Sequence, residues 1–297
     1  MRNFYIYFYT YLKLIKDKAK YSTIVLYFGA KIDFCFAKSV LNIKCILFVL
    51  FIILICNIIL PVSGCSPDNT NSLISKAAII DQLGLNYPNE IFIERITGTL
   101  KQSGFNVDVF SGSEVNIDLY KKLPLMNYKL IIFRAHSGIL NYNPLNPGIE
   151  GKTWLFTNEP YSTKYPFDQI TDRITFGQTS KEASRYFTIG AKFVKESMEG
   201  KFHNTMIILM GCDSFHLTDL VSALIEKGAS VCIGWDLSVE LNYVDKSTIR
   251  LIDLLVQNFD IKTSVDMVNL EMGKSIYNAT LQYYPEQKGK LQLKYFR

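Results

Sequence analysis

Histidine is scarce in this chain, cysteine is scarce outside its first 65 residues, and no surplus of positive charge survives beyond residue 64. Each shortage closes off a class of function. Only His136, His203 and His216 are present in 297 residues, and no His/Cys group has the spacing of a zinc site. The net charge of +5 is an N-terminal matter, because residues 1–64 hold eight Lys/Arg against two acidic residues, leaving 24 basic and 25 acidic residues for 65–297. A segment so balanced has no electrostatic footprint for nucleic acid, and none is expected as a partner. Four of the six cysteines (Cys35, Cys45, Cys56 and Cys65) lie in the N-terminal segment, so a disulfide-dense scaffold is excluded. The first strand candidate is followed by QLGLNYP, without the glycines and lysine of a phosphate loop. Neither a metal nor a cofactor is therefore expected. Repeats and low-complexity tracts are absent, and 48% apolar with 20% charged residues excludes disordered and collagen-like chains.

What is there begins with an address. Residues 45–60 read CILFVLFIILICNIIL, with Lys44 before and Pro61 after, then Val62-Ser63-Gly64-Cys65 and a polar, turn-rich SPDNTNS. A positive flank, an apolar core and small residues before a cut site make a secretory signal. Val-Ser-Gly-Cys resembles a lipobox, in which the Cys65 thiol takes a diacylglyceryl group. The alternative is an uncleaved membrane anchor, since the run approaches the length that spans a bilayer. Either way the remainder is tethered to a membrane, and lies on its outer side if the lipobox is real. Residues 1–40 are rich in Tyr and Phe and longer than a signal needs, which suggests a translation start near Val40 or Leu41. Residues 65–75 form a polar linker.

Residues 76–297 read as one α/β domain. Strands are expected at 77–80, 105–110, 128–133, 205–210, 230–233 and 291–296. Helices are expected at 88–103, 116–122, 217–227, 244–259 and 264–280. In the first helix Ile91, Ile93, Ile96 and Leu100 supply the apolar stripe. Strands alternating with helices predict a mostly parallel central sheet with helices on both faces. The stretch 139–203, rich in Pro, Asn, Thr and Tyr, breaks the alternation as an insertion with a hairpin near 153–156.

In open α/β sheets ligands bind beyond the carboxyl ends of the strands, and three such ends carry His136, Cys212 and Asp236. A thiolate attacks carbonyls but needs a base or cation beside it to form at neutral pH. Cys232 sits mid-strand and reads as core. Cys212 lies at a strand exit, with Gly211 before it and Asp213-Ser214 after it. His203 precedes its strand on the wrong edge, and His216 follows Cys212 on the same element, so His136 is the better base. The Cys212 amide is placed to donate to an oxyanion, and Gly138 lets backbone beside the histidine approach a substrate. A cysteine beside a strand is also commonly an inert small hydrophobe. Asp236 either lines a pocket or caps the loop after Trp235, Trp235 reads as packing, and Asp81 either orients the site or starts a turn. Asn278-Ala279-Thr280 matches a glycosylation acceptor but falls on an expected helix.

Strand–His–x–Gly, strand–Gly–Cys–Asp and then GASVCIGWD resemble the caspase-like fold of clan CD cysteine peptidases, nearest the CHAT, separase, gingipain and clostripain group. Trp235-Asp236 followed by Thr248, Ile249, Leu251, Leu254, Leu255 and Ala279 follows the order of the CHAT/separase branch, in which a helix bears the alanine. The likeness spans about 76–285 and is most specific over 205–240. It implies a three-layer fold with Cys212 as nucleophile and His136 as base. The oxyanion hole comes from the Cys212 amide and from Ser137 or Gly138. An acid at the mouth, Asp236 with Asp213 in reserve, selects a basic residue before the cut. Ser137 departs from the family pattern, where glycine directly follows the histidine, and the step of 76 residues from His136 to Cys212 is long. The expected function is a membrane-anchored, extracytoplasmic cysteine endopeptidase acting on protein or peptide. The alternative is a catalytically silent domain that serves as a surface binding module. The same dyad acting on a non-peptide acyl group is a third reading. Nothing in the pattern specifies an oligomeric state.

Overall fold

Alternate residues of β1 (Lys76–Asp81) face two separate apolar cores, Ala77 and Ile79 on one side and Ala78 and Ile80 on the other. A strand buried on both faces belongs in the middle of a parallel sheet. In the computed structural model, which describes residues 75–139 and 151–297, that sheet has six strands in the order β2-β1-β3-β8-β9-β10. They are β2 (Asn106–Ser111), β1, β3 (Tyr128–Arg134), β8 (Thr205–Leu209), β9 (Ala229–Trp235) and β10 (Leu281–Tyr284). The first five pair in parallel, and β10 runs antiparallel to β9. The described residues all belong to one compact unit. The fold is α/β with a mixed, mostly parallel sheet.

Helices cover both faces. α1 (Glu90–Gln102), α6 (Leu241–Val256) and α7 (Ile261–Glu271) pack on the Ile79 side. On the Ile80 side lie α2 (Ile117–Lys122), α4 (Ala191–Glu196) and α5 (Asp219–Glu226). α1 starts where the Asn89 side chain accepts from the Phe92 amide, and it ends before Gly104 at φ +93°. Its buried stripe is Phe92, Ile96 and Leu100: the expected Ile96 and Leu100 are buried and Ile93 packs against the core, but Ile91 is 80% exposed and Phe92 takes its place. Burying each of these three contributes about 1.5–3 kcal/mol.

The insertion is a second, four-stranded antiparallel sheet in the order β4-β5-β7-β6: β4 (Ser137–Ile139), β5 (Thr153–Pro160), β7 (Tyr186–Ile189) and β6 (Ile174–Gly177). The short α3 (Pro166–Ile170) bridges β5 and β6. The hairpin expected near 153–156 corresponds to the start of β5, where Thr153, Trp154 and Leu155 pair antiparallel with Ile139, Gly138 and Ser137 of β4.

Two expectations at the C-terminal end fail. The helix expected over 264–280 stops at Glu271, because Gly273 turns left-handed at φ +68°. Ala279 is therefore on a loop, not a helix, and Asn278 sits exposed in a turn at φ +57°. The last strand is β10, whereas Leu293–Phe296 is a 3-10 turn that buries Leu293 and Phe296, three residues apart. The expected linker, the apolar run 45–60 and Cys65 lie outside the described residues, except Ser75. Among the described residues no helix is long and apolar enough to cross a membrane.

Candidate active site

β3 and β8 are neighbours in parallel register, Leu130 opposite Met206 through Phe133 opposite Leu209, so both leave the sheet on one rim. β3 runs into Ala135-His136 and β8 into Met210-Gly211-Cys212. Ser137 Oγ donates to the Cys212 carbonyl at 2.6 Å, and the Met210 amide donates to the Phe133 carbonyl at 2.9 Å. Gly211 permits this closeness. A Cβ there would lie 2.2 Å from Ser137 Oγ, 2.6 Å from the Ala135 oxygen and 2.7 Å from the Ser137 nitrogen.

His136 and Cys212 consequently line one cavity of about 270 Å³, together with Tyr87, Val239, Leu241 and Val244. The His136 amide donates to Gln82 Oε1 at 2.9 Å, and its carbonyl accepts from the Phe156 amide at 3.0 Å. Its ring stands edge-on to Tyr87 and Phe156, with centroids 6.1 and 5.8 Å away. Gln82, itself buried, is fixed by donating to Asn158 Oδ1 at 2.9 Å.

The Cys212 thiol is engaged with the loop after β9. It donates to the Val239 carbonyl at 3.6 Å and accepts from the Val239 amide at 3.4 Å. Among the described residues no hydrogen bond joins it to the imidazole. Asp213, at φ +54°, is held in the left-handed region by its amide donating to Leu237 and by Ser238 Oγ donating to its carboxylate at 3.1 Å. Ser214 Oγ accepts from the Trp235 amide at 3.0 Å, so the β9 exit is clamped to the Cys212 loop as well.

Burial pushes the Cys212 thiol above the usual thiol range, with Asp213 adding to the rise and the Val239 backbone opposing it. Burial pushes the His136 imidazole down, and the Arg134 charge adds to that. Both shifts favour the uncharged forms, a thiol beside a neutral imidazole.

Among the described residues the Cys212 amide bonds no backbone carbonyl, and it lies beside its own thiol sulfur. Gly138 faces Trp154 and Ser137 faces Leu155 across β4 and β5. The bond from Phe156 to His136 sets the alternation, so Gly138 is the next hydrogen-bonding position and the Ser137 amide turns off the ladder. Ser137 therefore lies better than Gly138 for a second oxyanion donor. Asp236 is not among the residues of the shared cavity. Its carboxylate accepts from the Thr280 amide at 2.7 Å and from Gln282 Nε2 at 3.1 Å, pinning β10. His203 and His216 are exposed, the former before β8 on the far rim.

The sequence reading missed the ion cluster beneath the histidine. Arg134, wholly buried, donates from Nη1 to Asp81 at 2.8 Å, and from Nε and Nη2 to the two oxygens of Asp245 at 3.0 Å each. Its Nη2 also reaches the Tyr87 carbonyl, and Asn89 donates to Asp245 at 2.8 Å. Burial opposes the guanidinium charge, but the two carboxylates outweigh it and hold its pKa up. The available signal was an arginine ending the apolar run YKLIIF, which requires buried carboxylate partners. Asp245, more than 100 residues away, gave no sign in the sequence.

Compared with known proteins, the chain matches no family model and no curated protein sequence. The fold and the site alone define an α/β protein with a thiol and an imidazole facing one cavity at the carboxyl rim of its main sheet.

Proposed function

We propose that this chain is a cysteine endopeptidase of the caspase-like, three-layer kind, tethered to the outer side of a membrane through Cys65 or an uncleaved anchor. The observation that carries the reading is the shared cavity of Cys212 and His136, with their loops bonded through Ser137 Oγ and the Cys212 carbonyl at 2.6 Å. The sheet order, with one antiparallel strand at the β9 edge, is further support. In the reaction His136 takes the thiol proton as the sulfur attacks the peptide carbonyl. The carbonyl electrons move to an oxygen facing the Cys212 and Ser137 amides. Collapse breaks the C–N bond, and the proton on His136 goes to the leaving amine. Water then attacks the thioester, giving its proton to His136, and the returning thiolate is reprotonated.

The purified protein is expected to hydrolyse fluorogenic peptides, with Cys212→Ala and His136→Ala each lowering the rate at least about 1000-fold. Equal rates in the wild type and Cys212→Ala sink the proposal. A second reading, a silent binding module, is favoured by the Val239 bonds that occupy the thiol. It expects no hydrolysis by any variant.

A further inference from the structure

A second cavity of about 390 Å³, also lined by His136 but not by Cys212, is walled by residues of β4, β5, β6 and β7. That volume falls in the range of ligand pockets. His136, Ser137 and Gly138 form its rim, and its walls are Trp154, Phe156, Phe176, Ile139 and Thr188. No Asp, Glu, Lys or Arg lines it among the described residues. Its shape is set by glycines: a Cβ on Gly177 would lie 2.3 Å from Phe156 Cζ, and one on Gly190 would lie 3.1 Å from the Trp154 ring. Trp154 is 4% exposed, and its Nε1 has no acceptor among the described residues, an unspent donor on a wall residue.

The cavity begins where the reacting carbonyl would end. Ser137 bonds the Cys212 loop through its side chain and belongs to this rim, so a chain bound across Cys212 and His136 passes the mouth within one residue. Aromatic walls reward an aromatic or large apolar side chain, and the Arg185 guanidinium stacked on Phe176 at 4.5 Å disfavours a further cation.

We propose that this cavity is the recognition subsite for a bulky aromatic or aliphatic side chain flanking the scissile bond. This proposal rests on the peptidase reading for its role in cleavage, but not for the binding itself.

The full-length protein is assayed with matched fluorogenic peptides carrying Phe, Leu, Arg or Asp before the cut. In parallel, the Cys212→Ala chain is titrated with the Phe and Arg peptides while Trp154 fluorescence is followed against a Trp154→Phe control. Thr179, exposed at the cavity edge, supplies a variant that does not disturb the core. Phe and Leu peptides are expected to exceed Arg and Asp by at least about tenfold in kcat/KM, with Thr179→Asp shifting the ratio toward Arg by about tenfold. Cleavage without a Phe or Leu preference, or with an Arg preference in the wild type, overturns the subsite and leaves the dyad standing. No cleavage, but a Trp154 response to the Phe peptide that Thr179→Asp weakens, upholds the subsite and removes the peptidase. No cleavage and no response overturns both.

Discussion

Replacing Gly211 with alanine tests the contact that brings thiol and imidazole to one cavity. The added methyl would sit 2.2 Å from Ser137 Oγ and 2.6 and 2.7 Å from backbone atoms of Ala135 and Ser137. A serine hydroxyl can rotate away, but the backbone of the β3 exit cannot, so the two exits must separate. Overpacking of this kind costs about 1–3 kcal/mol. Loss of the bond from Ser137 Oγ to the Cys212 carbonyl adds about 1 kcal/mol. A cost of about 2–4 kcal/mol lowers Tm by about 4–16 °C for a domain of this size. On the proposed peptidase reading, the effect on hydrolysis is larger than the loss of folded protein explains, because moving reacting groups by about 1 Å costs about 100-fold. Gly98→Ala is the matched control. Gly98 lies within α1 with nothing within 4 Å of its Cβ position, so alanine there stabilises by about 0.5–1 kcal/mol. Urea unfolding of both variants, with peptide hydrolysis measured on the folded fraction, reads both signs. A Gly211→Ala protein within about 0.5 kcal/mol of the wild type and fully active would refute the close-approach argument.

Three further outcomes follow from the charges around the site. Because the His136 pKa is lowered from 6.5 and that of Cys212 raised from 9.0, the neutral thiol and imidazole coexist across that interval. A kcat/KM profile should therefore show a plateau between those values, its acid limb below 6.5 where His136 takes a proton and its alkaline limb above 9.0 where the thiol loses one. Iodoacetamide should label Cys212 slowly at pH 7 and about tenfold faster per unit of pH up to its pKa; fast labelling below pH 7 would mean an ion pair the geometry does not provide. Arg134→Met leaves Asp81 and Asp245 buried without a cation and should cost about 3–5 kcal/mol in urea unfolding. Adding Asp81→Asn and Asp245→Asn should recover most of that, and Arg134→Lys should not match the wild type, since the ammonium cannot span both Asp245 oxygens and Asp81. A single Arg134→Met cost under about 1 kcal/mol contradicts the assigned network.

Much of the main sheet was legible because its strands are apolar on both faces. KAAII, KLIIF and TMIIL have no reading except buried strands, and their polar successors mark the rim where chemistry belongs. The alternation of NVDVF announced the half-covered edge strand β2. Legibility failed where local pattern and tertiary contact disagree. LQLKYF alternates like a strand, yet Leu293 and Phe296, three residues apart, bury together in a 3-10 turn. The helix ran on in the sequence reading because residues 272–280 hold no proline, whereas one left-handed glycine ends it. The second sheet was unreadable for a similar reason: β4, β6 and β7 have three or four residues each, too short for a period of two to stand out.

For the site, the residue types were visible and their electrostatic state was not. A cysteine and a histidine at strand exits suggest an activated thiolate, which a neighbouring cation stabilises. The cation that lies near them, Arg134, is turned away into Asp81 and Asp245 and acts on the wrong partner: it lowers the imidazole pKa, as burial does. Burial also raises the thiol, and Asp213 raises it further. The partial burial of both groups thus favours their uncharged forms over an ion pair. On the proposed peptidase reading, such a resting site reaches a nucleophile when the proton leaves sulfur as the carbonyl is attacked, which gives His136 the role of a base in the bond-making step rather than of a standing imidazolium. On that reading the rate depends on the position of the ring, packed by Tyr87 and Phe156 on a backbone that Gln82 holds through the His136 amide, more than on its charge.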